Sequence, residues 1–372
     1  MLLEYDFKKF NFRLLLYTVL LNMIGILVIR SATNQDMATV GKQAAGIVIG
    51  LALAAGLSLI PYQKIVGLSG TIYLFCAALL AAVLFVGVNV NGATRWIRLP
   101  VIGQIQPSEF AKIGLIIFGS WYLGKYAEQI DRVRTLILAA AFFGFPVLLI
   151  LAEPNLSTSL VIIFTIICMI FIAGISFKWI GGALAVLIPC GVLFIYMLKQ
   201  GMVPFLQDYQ ARRILAWVDR ANYADANYQQ DNSIMAIGSG LLNGKGLNNN
   251  TLASVKNGNF LSEEQTDFIF AVIGEELGFI GCVIVIALFA ALVFECLWMA
   301  HQAKDMTGRL LCTGMAALLA FQTFSNIAVA TGIFPNTGLP LPFISYGVSS
   351  LISMYIGIGI VLNVALQRKN KH

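Results

Sequence analysis

Apolar runs long enough to cross a lipid bilayer follow one another along almost the whole chain, and that succession constrains the fold more than any motif. The runs cover residues 12–31, 41–60, 68–88, 108–124, 135–152, 157–175, 177–198, 267–294, 309–332 and 344–366. These are about ten segments of the roughly 17 to 25 residues that a hydrocarbon core about 30 Å thick requires. The sequence therefore predicts an all-α polytopic membrane protein, one membrane domain over residues 1–372. Its 59% hydrophobic and 11% charged residues are far from the balance of a soluble domain. The first run lacks a small-residue cleavage site and is followed at once by a second, so it reads as an anchor and not as a signal peptide.

Lysine and arginine set the expected orientation, because short cytoplasmic loops carry their excess. With the N-terminus inside, 13 of the 24 fall on the inner side, from Lys8, Lys9 and Arg13 to Arg368, Lys369 and Lys371. Both termini are then cytoplasmic, and the long polar segment 199–266 between the seventh and eighth spans lies outside. The net charge of +6 sits mostly along the inner face, where anionic lipid attracts it. With no soluble basic domain, nucleic acid is not an expected partner.

The six cysteines lie in or beside apolar runs without paired spacing and read as small buried hydrophobes. His301 and His372 are the only histidines, too few for a His-based zinc site or a catalytic triad.

The sharpest chemical signal is Glu263, Glu264 and Asp267, placed where the polar segment meets the run that begins near Phe268. An ionised carboxylate at a membrane edge needs water, a cation or a substrate to compensate it, so Asp267 is a candidate functional group. Other polar groups fall on the same outer side. Arg95, Trp96 and Arg98 fit an anionic head group, or equally an interfacial Trp with snorkelling arginines. Glu109 and Lys112, three apart after Pro107, share a helix face and either neutralise each other or line a wet, charged cavity. Glu153 breaks two spans beside Asn155 and Ser157, which read as helix caps. Residues 209–217, with Arg212 and Arg213, look amphipathic and interfacial. The stretch from Tyr228 to Gly240, leading into Gly244-Lys245-Gly246, lacks P-loop spacing and reads as ordinary loop. Prolines and glycines between Pro335 and Gly347, with Ser345 among them, predict irregular backbone; at membrane depth such backbone lines a cavity or is buried in protein.

Four ordered motifs carry a resemblance. They are Asn91-Gly92-Ala93-Thr94-Arg95-Trp96-Ile97; Gln106-Pro107-Ser108-Glu109-Phe110-Ala111-Lys112; Thr266-Asp267-Phe268-Ile269-Phe270-Ala271 with Glu275-Glu276-Leu277-Gly278; and Gly338-Leu339-Pro340-Leu341-Pro342-Phe343-Ile344-Ser345-Tyr346-Gly347. Over nearly its whole length the chain resembles the SEDS family of membrane-embedded peptidoglycan glycosyltransferases. The wording from Leu339 to Ile344 is similar to the branch that serves cell elongation.

What the resemblance implies is polymerisation of lipid II, an undecaprenyl-pyrophosphate-linked disaccharide pentapeptide, on the outer face of a bacterial cytoplasmic membrane. Asp267 matches the family's essential aspartate and would be the general base. Arg95, Trp96, Glu109, Lys112, Glu153, Arg213 and Ser345 would contact substrate. A divalent cation, magnesium or manganese, could share the pyrophosphate charge, with no organic cofactor. A class B penicillin-binding protein transpeptidase is the implied partner. The family commonly has Gln-Pro-Asp-Leu-Gly-Thr where this chain has Glu153-Pro154-Asn155-Leu156-Ser157-Thr158, so Glu153 would take over a displaced acid's role. Ser349 and Ser350 stand where two glycines are usual. The alternative reading is a lipid-linked-sugar flippase.

Overall fold

The computed structural model describes residues 9–90, 93–99, 103–202, 208–220, 222–248, 261 and 263–368. Asn91, Gly92, Lys8, Lys369, Lys371 and His372, named above, lie outside them. Helix α1 (Phe12–Ala32) starts where the Asn11 side chain accepts from the Leu14 amide, and α2 (Met37–Ser58) where Asp36 accepts from Ala38 and Thr39. Both are side-chain caps that satisfy first-turn amides. The short α3 (Tyr62–Gly67) leads to α4 (Ser69–Val86). Three short strands follow: β1 (Val88–Val90), β2 (Ala93–Leu99) and β3 (Gly103–Ile105). Then come α5 (Pro107–Lys125), α6 (Val133–Ala152), α7 (Leu156–Ile172), α8 (Phe177–Lys199), α9 (Asp208–Val218), α10 (Ala224–Ser239), α11 (Ile269–Gln302), α12 (Met306–Ala330) and α13 (Val348–Leu366).

Eight of these, α1, α2, α4, α6, α8, α11, α12 and α13, are long and apolar enough to span a membrane. The two remaining expected spans are helical as well. One is α5, whose Glu109, Lys112 and Lys125 dilute its hydropathy, and the other is α7, which is only 17 residues long. The centre of the bundle is α12 and α13, whose spanning windows are 78% and 83% buried, whereas that of α8 is 0% buried. Small residues let backbones approach there: a Cβ on Gly25 of α1 would stand 2.9 Å from Ile344 Cα. Buried amides tie spans across the core. Asn22 of α1 donates to the Tyr355 hydroxyl of α13 at 2.9 Å; Asn363 of α13 donates to the Ser58 carbonyl at 2.6 Å and accepts from the Tyr62 amide at 2.8 Å.

Two features depart from the expectation. The connection after α4 is an antiparallel sheet of order β1-β2-β3, with Val88 opposite Trp96 and Ile97 opposite Ile105. Its pairing gives a connection at the bundle end internal partners for its backbone groups.

The second departure is inside α11, which reaches Gln302 and breaks at Gly278, where φ is 65° and ψ is −164°, a region essentially reserved for glycine. Residues 241–246 fill the break. Phe279 and Ile280 donate to the carbonyls of Leu241 and Leu242 at 2.8 and 3.2 Å, while Lys245 and Gly246 donate to those of Glu275 and Glu276 at 2.9 and 3.0 Å. Backbone groups freed by a broken helix are thus satisfied within the protein. A Cβ at Gly244 would collide with the Glu276 carbonyl, and one at Gly278 with the Gly244 amide. The stretch 228–246 is therefore not ordinary loop: its first part is the end of α10, and Gly244-Lys245-Gly246 is the plug of a helix break.

Candidate active site

The turn before α11 presents Asp267. The Thr266 and Asp267 amides both donate to the Glu263 carbonyl at 3.1 Å. Asn326 of α12 reaches across from the core, its side-chain amide donating to the Asp267 carbonyl at 2.8 Å and to the Leu339 carbonyl at 2.7 Å. Ser345 donates to the Thr266 carbonyl and accepts from the Leu341 amide at 2.8 Å, and the Tyr346 amide donates to the Gln265 carbonyl at 2.9 Å. Thus the irregular segment 335–347 and the Asp267 turn form one hydrogen-bonded unit. Gly338, with φ of 66°, lies beside the carboxylate: a Cβ there would stand 3.1 Å from Asp267 Oδ2.

Asp267 is half-buried above the fully buried Phe268. Burial lifts its carboxyl to about 6, the Glu263 charge pushes the same way, and Arg213 and Arg95 pull it back. Arg213 is exposed on α9, an amphipathic helix anchored by Trp217, whose indole donates to the Ile333 carbonyl at 3.0 Å. Arg95 and Trp96 are half-buried on β2. The Arg95 guanidinium donates to the Glu153 carbonyl at 3.4 Å and also to that of Pro154, fastening the sheet to the corner between α6 and α7.

Glu153 itself is fully buried, and neither of its carboxyl oxygens has a hydrogen-bond partner. Burial raises its carboxyl to about 8, against the pull of Arg95. Asn155 caps α7 by accepting from the Thr158 amide, as expected, but Ser157 does not cap: its hydroxyl donates to the Thr337 carbonyl. Asp267, Arg95, Arg213 and Glu153 are therefore brought to one end of the bundle.

Glu109 and Lys112 are placed differently. The pair closes at 2.8 Å with both residues 2% exposed, and Lys112 also donates to the Gln322 side chain at 2.8 Å. Gln322 in turn donates to the Pro340 carbonyl at 3.0 Å. The wet-cavity alternative is thereby set aside, because these charges are consumed inside the protein, where they brace segment 335–347 from below. Ser345, 5% exposed, likewise spends its hydroxyl on backbone groups. The sequence reading passed over Asn326 and Gln322. Their signal is present, since amides four residues apart in an apolar run lie on one helix face and need partners there. Among the described residues no three His, Cys, Asp or Glu side chains gather closely enough to hold a metal ion.

A helical bundle of many spans that fixes one half-exposed carboxylate in irregular backbone at its end, with arginines from β2 and α9 acting on its charge, is the architecture of a membrane-embedded enzyme. A family model described as cell cycle protein, covering FtsW, RodA and SpoVE, matches residues 12–370, and the chain belongs to that family. It is 34% identical over 360 residues to peptidoglycan glycosyltransferase MrdB of Escherichia coli K12, covering 96% of this chain and 93% of the relative. It is also 34% identical over 384 residues to the probable peptidoglycan glycosyltransferase FtsW of Geobacter metallireducens, covering 98% and 96%. Two solved structures are similar. A chain from work on the coordination of polymerization and crosslinking by a peptidoglycan synthase complex superposes with a TM-score of 0.77 at 30% identity, covering 99% of this chain and 100% of that one. The rod shape determining protein RodA of Thermus thermophilus does so with a TM-score of 0.70 at 28% identity, covering 99% of each.

Proposed function

We propose that this chain is a peptidoglycan glycosyltransferase that joins lipid II units into glycan strands, with Asp267 as the general base. The observation that carries the assignment is the Asp267 carboxylate, partly open to solvent and fixed through its own backbone by Asn326 and by the Ser345-bearing segment. Names of relatives of near-equal length support the activity, and the excess of lysine and arginine at the opposite end supports an extracytoplasmic site. Service in elongation is supported by the likeness to MrdB and RodA. The synthase complex among the similar structures supports pairing with a crosslinking partner, which we take to be a class B penicillin-binding protein. The flippase alternative is not favoured, as these relatives are named as transferases.

In the reaction the acceptor sugar's 4-hydroxyl attacks the donor's anomeric carbon. The bond from that carbon to the pyrophosphate oxygen breaks, the hydroxyl proton passes to Asp267, and undecaprenyl pyrophosphate leaves as an anion with inversion at the carbon. A carboxylate at about 6 is ionised at neutral pH yet basic enough to accept a proton, a role worth about 10²- to 10⁴-fold. Because the leaving group departs charged, it needs cations more than a proton donor. Arg95 and Arg213, both close enough to pull on the Asp267 carboxyl, supply guanidinium forks for phosphate oxygens. The described residues do not by themselves make a magnesium or manganese site, and no step here runs through one. The backbone carbonyls of Glu153 and Pro154, by accepting from Arg95, position the central strand that carries Trp96.

The test is conversion of lipid II to glycan polymer on a gel by the purified parent and its Asp267→Asn variant, each with a transpeptidase partner. Loss of polymer in a variant that still folds and binds lipid II supports the assignment. Equal polymerisation by both removes the base from Asp267.

A further inference from the structure

At the end of the bundle opposite Asp267, the start of α1 and the end of α11 enclose a cavity of about 1100 Å³. Lys9, Arg13, Arg309 and Arg368 line it, facing Glu295, the one carboxylate among its described lining residues. That carboxylate is already engaged: Asn11 donates to it at 2.9 Å, and Arg13 lies 3.7 Å away. Lys9 is oriented by donating to the Arg368 carbonyl at 3.1 Å, and Arg368 by donating to the Gln302 side chain at 3.2 Å. Lys9 and Arg368 are thus held in place by hydrogen bonds, and the exposed Arg13 and Arg309 add positive charge beside them. The cavity's outer rim is apolar and aromatic. Phe12 is 70% exposed and Trp298 42%, with Phe294 stacked on Trp298 at 6.2 Å along the helix toward the bilayer interior.

We infer that this cavity binds the phosphate headgroup of an anionic phospholipid, with its acyl chains lying against Phe12, Phe294 and Trp298. Guanidinium and ammonium groups match a phosphodiester, and basic pockets between spanning helices on the cytoplasmic side are suited to anionic headgroups. The exposed aromatic rim is what separates this reading from a site for a soluble anion or an acidic peptide, neither of which would cover it. The inference stands apart from the polymerase assignment, since the site shares no residue with the Asp267 end.

The full-length protein, purified and reconstituted in nanodiscs of phosphatidylcholine, is titrated with phosphatidylglycerol, and bound lipid is counted by native mass spectrometry. The parent retains phosphatidylglycerol over phosphatidylcholine. Arg309→Gln, a change at an exposed side chain, weakens retention about five-fold, and Arg309→Gln with Lys9→Gln about 25-fold, as expected for about 1 kcal/mol per basic group near the membrane. Polymer formation is unchanged in both. Arg132→Gln with Arg134→Gln, exposed at the start of α6, leaves retention intact. Three results overturn the inference: equal loss in the Arg132/Arg134 control, which makes the binding diffuse; displacement of the lipid by millimolar inorganic phosphate, which makes the site a soluble-anion site; or displacement by a poly-glutamate peptide, which makes it an acidic-segment site.

Discussion

Asp267 combines two properties that usually oppose each other, burial that raises its carboxyl and arginines that lower it, and the balance at about 6 suits a base at neutral pH. The initial polymerisation rate should accordingly fall about ten-fold per pH unit below about 6 and level off above it, because only the ionised carboxylate accepts the proton. A rate profile without that acid limb would place the base elsewhere. Gly338→Ala should slow turnover about ten-fold with little change in lipid II affinity: the added methyl presses on Oδ2 and on a backbone angle that disfavours alanine. Glu153 is a stability matter. Its carboxyl is about 8 in the folded protein against the ordinary 4.5, so the folded state holds more protons and loses stability as pH rises between those values. The neutral Glu153→Gln variant should therefore gain melting temperature over the parent progressively from pH 4.5 to 8 and no further beyond. A pH-independent difference would mean that Glu153 stays ionised against Arg95.

Among the elements, α11 shows how local chemistry and tertiary structure divide the work. Its apolar run is plain in the sequence, but the break at Gly278 is visible only with residues 241–246 inserted into it. Gly278→Ala should cost about 1–3 kcal/mol of stability, read as a lowered melting temperature in detergent, since that backbone conformation is nearly closed to other residues. Gly56→Ala in α2, where an added Cβ meets nothing within 4 Å, should leave stability unchanged or slightly raised. The Glu109–Lys112 pair joins α5 to α12 through Gln322 and so to segment 335–347. Lys112→Met should cost about 3–5 kcal/mol by stranding Glu109, and adding Glu109→Gln should recover part of that loss, measured by denaturation of the single and double variants. The sheet around Arg95 was not foreseen, because strands this short carry little periodic signal beside an apolar helix.

At the scale of the whole molecule, the ten spanning helices and their order follow from the sequence alone, whereas α10 lies in a stretch read as loop. Helical structure in the ten long apolar runs is dictated by the need to satisfy backbone groups without water, and every run is helical over most of its length. The motifs around Asp267 were equally legible, because a carboxylate at a membrane edge is expensive enough to stand out. What only the tertiary structure decided is which polar groups meet. Asn326 and Ser345 hold the Asp267 turn, Lys112 and Gln322 turn inward as braces, and a basic cavity forms between residues nearly 360 positions apart, Lys9 and Arg368. The physical reason is that hydrophobicity is read residue by residue and needs no partner. Hydrogen bonds and ion pairs are defined by their partners, and those are assigned only when distant spans pack side by side.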